Sequence, residues 1–260
     1  VEGTAVSASN ALEQIELHKA LAPRYAYRYS FEFSRLFQED WHREMLRLLP
    51  AHSERVLDLG CGTGFFLAEL EALRPGAVGL DISHEMLRVS EQYVPGAQLV
   101  TADAERLPFR DQSFDAIFCK GSLHHTRDHV RFLSNCARAL RSNGVLIMSE
   151  PCNDNFLIRW ARAAMYRVSP HFHPDDKGFT KDELVGLMER AGFELEYAGR
   201  YGFLAYIFAG FPDHIGVLRW VPGNAWIVRR MLALDRWICS TRFLRMLSFQ
   251  VVVSGRPRRA

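Results

Sequence analysis

Leu57-Asp58-Leu59-Gly60-Cys61-Gly62-Thr63-Gly64 constrains this chain more than any other stretch. A short apolar strand carrying one acid runs directly into glycines at alternate positions, and Phe66, Leu67, Leu70 and Leu73 then recur at helical spacing. Glycine at Gly60, Gly62 and Gly64 permits a tight strand-to-helix turn and lets a ligand touch bare backbone. A nucleotide-like cofactor lying across the strand end is what such a turn serves. The spacing narrows the choice. A dinucleotide fingerprint reads G-x-G-x-x-G, but the third residue after Gly62 is Phe65. A phosphate-cradling loop would place Gly-Lys-Ser/Thr before the helix, and the chain has no such string. A cofactor with a nucleoside but no pyrophosphate fits what is left.

Four more strand-like segments follow in order. Val78 to Ser83 ends its strand in Asp81, placed to accept from both hydroxyls of a ribose, as acids do in dinucleotide-binding folds. Leu99 to Phe109 holds Asp103-Ala104. Phe114 to Lys120 leads into Leu123-His124-His125-Thr126-Arg127-Asp128, and Gly144 to Pro151 ends on Glu150. Strands are expected at 55–59, 77–81, 97–101, 114–119 and 144–149, and helices at 64–73, 84–93 and 129–140, the last stopped by Ser142-Asn143-Gly144. This alternation marks a doubly wound parallel sheet. Thr180-Lys181-Asp182-Glu183 is a capping box opening another helix. Sixth and seventh strands are expected at 194–198 and 249–253.

The glycine loop resembles motif I of the class I S-adenosylmethionine-dependent methyltransferases, and Leu123 to Asp128 is similar to their Leu-His-His-x-x-Asp segment. The resemblance covers roughly residues 55–200 and points to the small-molecule, type 11-like group. It implies a seven-stranded Rossmann-like α/β sheet with an antiparallel last strand, S-adenosyl-L-methionine as cofactor, and methyl transfer. The cofactor-binding set expected is Asp58, Gly60, Cys61, Gly62, Gly64, Asp81, Ile82, Met86, Asp103, Ala104, Cys119 and Lys120. In this family the acid at Asp103 contacts the adenine amino group, and the next backbone N–H reaches the ring. Asp58 either reaches the cofactor ammonium, directly or through water, or bonds the N–H groups of the glycine loop. Cys61 and Cys119 neighbour the cofactor, although nothing in the sequence activates either thiol. The leading segment lies over the cofactor in this family, which makes Tyr25 and Tyr29 candidates to line the site.

Methyl transfer from a sulfonium chiefly requires that nucleophile and methyl be held in contact. A hydroxyl acceptor also needs its proton removed. His124 and His125 are the candidate bases because imidazole titrates near neutrality, and Glu150 either orients a histidine, binds the acceptor or forms a structural ion pair. His171-Phe172-His173-Pro174-Asp175-Asp176 has metal-like composition, but a solvated loop or an acceptor-binding lid is the preferred reading, so no metal is expected.

Four regions are expected: an N-terminal helical cap segment (1–50), interrupted at Pro23; the cofactor-binding core (51–200); a helical insertion covering the substrate (201–247); and a final strand with a basic tail (248–260). Five scattered cysteines without a C-x-x-C pair fit reduced thiols, and Val1 to Asn10 lacks a basic-then-apolar leader pattern, so a cytoplasmic location is expected. No apolar run approaches the ~20 residues of a membrane span. Charge is uneven: the chain carries +2 overall, yet residues 201–260 hold nine arginines against two aspartates, giving +7 there. Arg229, Arg230 and Arg236 alternate with Trp226, Ile227, Met231, Leu232 and Trp237, so one helix face is apolar and another cationic. Two readings follow: an anionic membrane surface, or a cap over the acceptor with Trp226 and Trp237 buried. The cap is preferred, because an exposed tryptophan face is a solubility liability.

The leading function is methylation of a small-molecule or lipid-linked acceptor, foremost at oxygen with nitrogen and carbon as alternatives, and no nucleic-acid partner is expected. The competing readings are a non-catalytic cofactor-binding scaffold, a nucleic-acid or protein methyltransferase, and a dehydrogenase, the last weakened by Phe65.

Overall fold

The computed structural model describes residues 27–160, 178–212 and 215–258. Seven strands form one sheet in the order β3-β2-β1-β4-β5-β7-β6. They are β1 (Val56–Leu59), β2 (Val78–Asp81), β3 (Gln98–Thr101), β4 (Phe114–Lys120), β5 (Leu140–Pro151), β6 (Phe193–Tyr201) and β7 (Gln250–Pro257). The first five pair in parallel, and β7 lies antiparallel between β5 and β6. The expected α/β sheet with its inverted last strand is therefore present. All four residues of β1 are buried, which explains an apolar run without alternation: a central parallel strand is covered on both faces.

Helices α1 (Glu32–Leu46), α2 (Phe65–Leu73), α3 (His84–Tyr93), α4 (His129–Ala139), α5 (Lys181–Arg190), α6 (Leu204–Ala209) and α7 (Asn224–Ser240) pack on the two faces. One core contains Phe33, Phe37, Trp41 and Met45 of α1 with Phe66, Leu67 and Leu70 of α2 and Val228 and Leu232 of α7. The other joins Phe132, Leu133 and Cys136 of α4 to Leu184 and Met188 of α5. The capping box forms as expected: Thr180 Oγ1 accepts from Glu183 N–H and Glu183 Oε2 accepts from Thr180 N–H. Tyr25, His171 and His173 lie outside the described residues.

Two expectations are corrected. The stop after α4 comes earlier than Ser142-Asn143-Gly144: the helix ends at Ala139 and β5 begins at Leu140, with a register irregularity between Phe114 and Ala116 opposite its start. That irregularity absorbs the polar triplet into the strand's exposed beginning. The second correction concerns the tail. Trp226 and Trp237 are 62% and 58% exposed, so they do not close over an acceptor. The face of α7 that turns inward carries Val228, Leu232, Asp235 and Ile238. Asp235 fixes this rotation: its carboxylate accepts from the N–H groups of Phe203, Leu204 and Ala205 at 2.9–3.0 Å, satisfying the start of α6. An acid committed to those three donors stays inside, and the tryptophans on the opposite side stay outside.

Candidate active site

The charged side chains gather where the parallel strands end, the edge at which open α/β sheets bind ligands. The glycine loop leaves β1 with φ of 76°, 54° and 81° at Gly60, Gly62 and Gly64. A side chain at Gly60 would overlap Ser122 in the loop after β4, so glycine there lets the two loops approach. A Cβ on Gly62 would instead meet nothing within 4 Å, so the loop presents an open backbone surface at that point. The loop is held from below. Gly60 and Cys61 N–H donate to Leu80 O at 2.7 and 3.0 Å, and Gly62 N–H donates to Asp81 Oδ2 at 2.9 Å. Asp81 Oδ1 accepts from Ser83 N–H at 2.8 Å, and Ser83 Oγ caps α3 at the N–H of Met86. Asp81 therefore ties β2 to the loop while its remaining lone pairs stay available. Ile82 is half-buried beside it and Met86 is buried. Beyond β3, Asp103 Oδ1 accepts from Glu105 N–H at 2.8 Å and caps the turn that contains Ala104.

Asp58 sits deeper in β1, buried, with Oδ2 lacking a hydrogen-bond partner among the described residues. Burial pushes its carboxyl up to about 7, against the pull of Lys120. Lys120, at the end of β4, is brought down to about 8 by burial. Its Nζ donates to Gln38 Oε1 at 3.2 Å and to His42 Nε2 at 2.5 Å, and lies 5.0 Å from the Trp41 ring centroid. His42 Nδ1–H donates to Glu69 Oε1 at 2.6 Å. Burial first, then the Lys120 charge, lowers the His42 pKa, in keeping with a neutral ring that accepts at Nε2. Glu69 is raised to about 7, again by burial first. The chain Glu69–His42–Lys120 thus fastens α1 to the sheet edge beside Asp58. Sequence reasoning missed His42, Gln38 and Glu69. The available signal was Gln38 and His42 four apart on a helix whose neighbours Phe37, Trp41 and Met45 are all apolar. Tyr29 stacks on Phe65 with centroids 4.1 Å apart, just past the glycine loop.

These shifts carry a signed expectation. An acid raised in the fold from about 4 to about 7 contributes its full stability only below the unfolded value, and loses it as pH climbs through the folded one. Asp58→Asn removes that dependence. Thermal melts without ligand should show the variant gaining on the wild type as pH rises from about 4 to about 7, by up to about 4 kcal/mol, with no further gain above. A constant difference across that window would contradict the assignment of an uncompensated acid.

The catalytic candidates form a separate group. Glu150, fully buried at the end of β5, accepts through Oε1 from Ser122 and Leu123 N–H at 3.1 and 2.9 Å. Its Oε2 accepts from His124 Nδ1–H at 2.8 Å. The carboxylate thereby fixes one tautomer and turns Nε2 of His124 into an acceptor. His124 borders a cleft of about 440 Å³ with Thr126, His129, Phe179 and Glu183. His125 packs its ring 4.0 Å, centroid to centroid, from that of His124. The Cys119 thiol is sealed in the core against Glu150, and Cys61 turns its sulfur toward Gly79; burial raises both thiol pKa values well above the ordinary range. Both are inert packing groups. No cluster of metal-ligating side chains occurs among the described residues.

The donor set can be tested against a sulfonium nucleoside with an amino-acid tail. An orphaned buried carboxylate oxygen suits an ammonium, the open face at Gly62 suits a close-lying ligand, and acids end β2 and follow β3 for ribose and base. The residues fit. Fold and loop together define a nucleoside-cofactor enzyme of Rossmann-like α/β architecture.

Comparison with known proteins makes this specific. The family model described as "Methyltransferase domain" matches residues 57–148. A demethylmenaquinone methyltransferase of Thermotoga maritima is 30% identical over 191 residues, covering 65% of this chain and 83% of its own. The O-methyltransferase cnsE of Penicillium expansum is 33% identical over 162 residues, 58% of this chain and 55% of its own. Among solved structures, a SAM-dependent methyltransferase of Thermotoga maritima superposes with a TM-score of 0.65 at 19% identity, over 93% of this chain and 98% of that one. The chain belongs to the class I S-adenosylmethionine-dependent methyltransferases, in the type 11 group, and is an enzyme of that kind.

Proposed function

We propose that this enzyme methylates a hydroxyl of a small, hydrophobic organic acceptor, with His124 as the general base. The observation that carries the reading is the His124–Glu150 pair: a histidine fixed by a buried carboxylate, with Nε2 aimed away from it beside a cleft. Asp58 would hold the ammonium of S-adenosylmethionine, Asp81 the ribose hydroxyls, and Asp103 with the Ala104 N–H the adenine. Gly60, Gly62 and Gly64 would supply the surface against which the cofactor lies, and Ile82, Met86 and Lys120 would complete its surroundings. When bound, the cofactor supplies a methyl on a positively charged sulfur that leaves as a neutral thioether.

The chain's own residues then have two tasks. They hold the acceptor oxygen in place, which can supply much of the barrier reduction. His124 Nε2 takes the hydroxyl proton as the oxygen forms its new bond, and Glu150 stabilises the resulting imidazolium through Nδ1–H. An amine acceptor that binds neutral has its lone pair ready, so a fixed histidine–carboxylate pair is best used by a hydroxyl. Among the named relatives, the O-methyltransferase supports methylation at oxygen, and the demethylmenaquinone methyltransferase supports only a small hydrophobic acceptor.

Incubation with methyl-labelled cofactor and a panel of phenols, enols, alcohols, amines and carboxylic acids, read by mass spectrometry, tests the reading. Methyl ethers are the expected products. Exclusive labelling of amines or carbon would overturn it.

A further inference from the structure

The tail of this chain presents a surface that methyl transfer does not use. On α7 the inward side is Val228, Leu232, Asp235 and Ile238. At about 100° per residue, Trp226, Arg230, Ala233 and Trp237 form a single stripe along the opposite side, with Arg229 and Arg236 on one flank and Leu234 on the other. Both tryptophans are exposed, and Trp220 before the helix and Phe243 after it are 86% and 81% exposed. Arg230 lies over the Trp226 ring at 5.3 Å. From 215 to 258 the sole acid is Asp235, and it is buried. Among the described residues no acid pairs with Arg229, Arg230, Arg242 or Arg245. No helix among the described residues is long and apolar enough to cross a membrane.

We propose that α7 is a membrane-surface helix that seats the enzyme on an anionic lipid bilayer. The pattern is that of a helix lying in the interfacial plane: indole rings at the centre of the outer stripe, where an amphipathic ring meets the headgroup level, and arginines along its margins, where lipid phosphates lie. A second copy of the chain is a poorer occupant. A two-fold interface would set these arginines against their own symmetry mates with no acid on the face to offset them. The bilayer offers the missing negative charge. The seat is close to the chemistry, because Arg236 donates to Asp40 of α1 at 2.9 Å, and α1 carries the Gln38 and His42 that hold Lys120. This inference does not depend on which atom of the acceptor is methylated.

The full chain should co-sediment with phosphatidylcholine vesicles containing roughly one-third phosphatidylserine, much less with pure phosphatidylcholine, and be released as salt shortens the screening length to about 3 Å at 1 M. Tryptophan emission should shift to the blue on binding, and brominated acyl chains should quench it. Each arginine removed is expected to weaken binding about fivefold, so Arg229→Gln with Arg230→Gln should lower the partition coefficient about 25-fold. Trp226→Ala with Trp237→Ala should remove most of the bromine-quenchable emission and weaken binding to the vesicles. All four positions are exposed, so unchanged thermal melts are expected for both variants. The proposal fails if the wild type stays in the supernatant with anionic vesicles, or if binding survives both double variants. It also fails if sedimentation equilibrium shows a dimer that Trp226→Ala with Trp237→Ala disperses, which would assign the face to a second copy.

Discussion

Replacement of His124 by alanine is expected to lower kcat about 10²–10⁴-fold, with the Kd for S-adenosylmethionine nearly unchanged. The reason is local. Glu150 is fixed by two backbone N–H groups and holds Nδ1–H of His124 at 2.8 Å, so the ring has one free acceptor and one orientation. Deleting the ring removes that acceptor without touching the glycine loop, Asp58 or Asp81. Glu150→Gln keeps an acceptor for the two backbone N–H groups but sets an amide NH2 against His124 Nδ1, which favours the tautomer protonated at Nε2, so a loss in kcat comparable to that of His124→Ala is expected. His125→Ala should cost less than His124→Ala, since Glu150 holds the ring of His124, against which His125 packs. Single-turnover rates on a hydroxyl acceptor, with calorimetry for the cofactor, separate the two quantities. Full turnover by His124→Ala would mean that proximity alone carries the reaction and that the Glu150 pair is structural.

Much of this molecule is written locally. The seven strands were placed within a few residues because each parallel strand is a short apolar run closed by a glycine, an acid or a turn. That signal needs no knowledge of partners. The glycine loop, Asp81 and Asp103 were legible for the same reason, as each acts within a few residues of its strand end. The cluster around Lys120 was not. Its stabilising bond joins Lys120 to His42, 78 residues earlier, and the local mark, Gln38 and His42 four apart beside Phe37, Trp41 and Met45, does not say which strand end the pair faces. Glu150 was only partly legible. Its position at a strand end was evident, but its bond to His124 Nδ1–H depends on how β4 and β5 pair, with Lys120 opposite Ser149.

The tail shows a different limit. Hydropathy periodicity identified α7 as amphipathic, yet both of its sides carry large apolar residues, so the pattern alone leaves the helix free to roll. What settles the roll is Asp235, whose three backbone donors come from a segment 30 to 32 residues upstream. Aliphatic Val228 and Leu232 pack inward with it. The preference for buried tryptophans weighed solubility and overlooked a second means of satisfying an aromatic ring, namely contact with something other than this chain.

Asp81→Ala is expected to weaken S-adenosylmethionine binding by about 1.5–3 kcal/mol, roughly 10- to 150-fold in Kd. Two contributions add. The carboxylate holds Gly62 N–H at 2.9 Å and Ser83 N–H at 2.8 Å, so its loss frees the loop on which the cofactor would lie. It also removes the acceptor proposed for the ribose hydroxyls. Asparagine should be little better than alanine, because its amide nitrogen would face one of those two N–H donors where an acceptor is needed. The contributions can be told apart with a cofactor analogue that lacks both ribose hydroxyls. If Asp81 binds the sugar, the gap between wild type and Asp81→Ala should shrink markedly for the analogue, leaving only the cost of the loosened loop. An equal gap for both ligands would show that Asp81 shapes the loop and never touches the ribose. Unchanged affinity for S-adenosylmethionine itself would remove Asp81 from the binding site altogether.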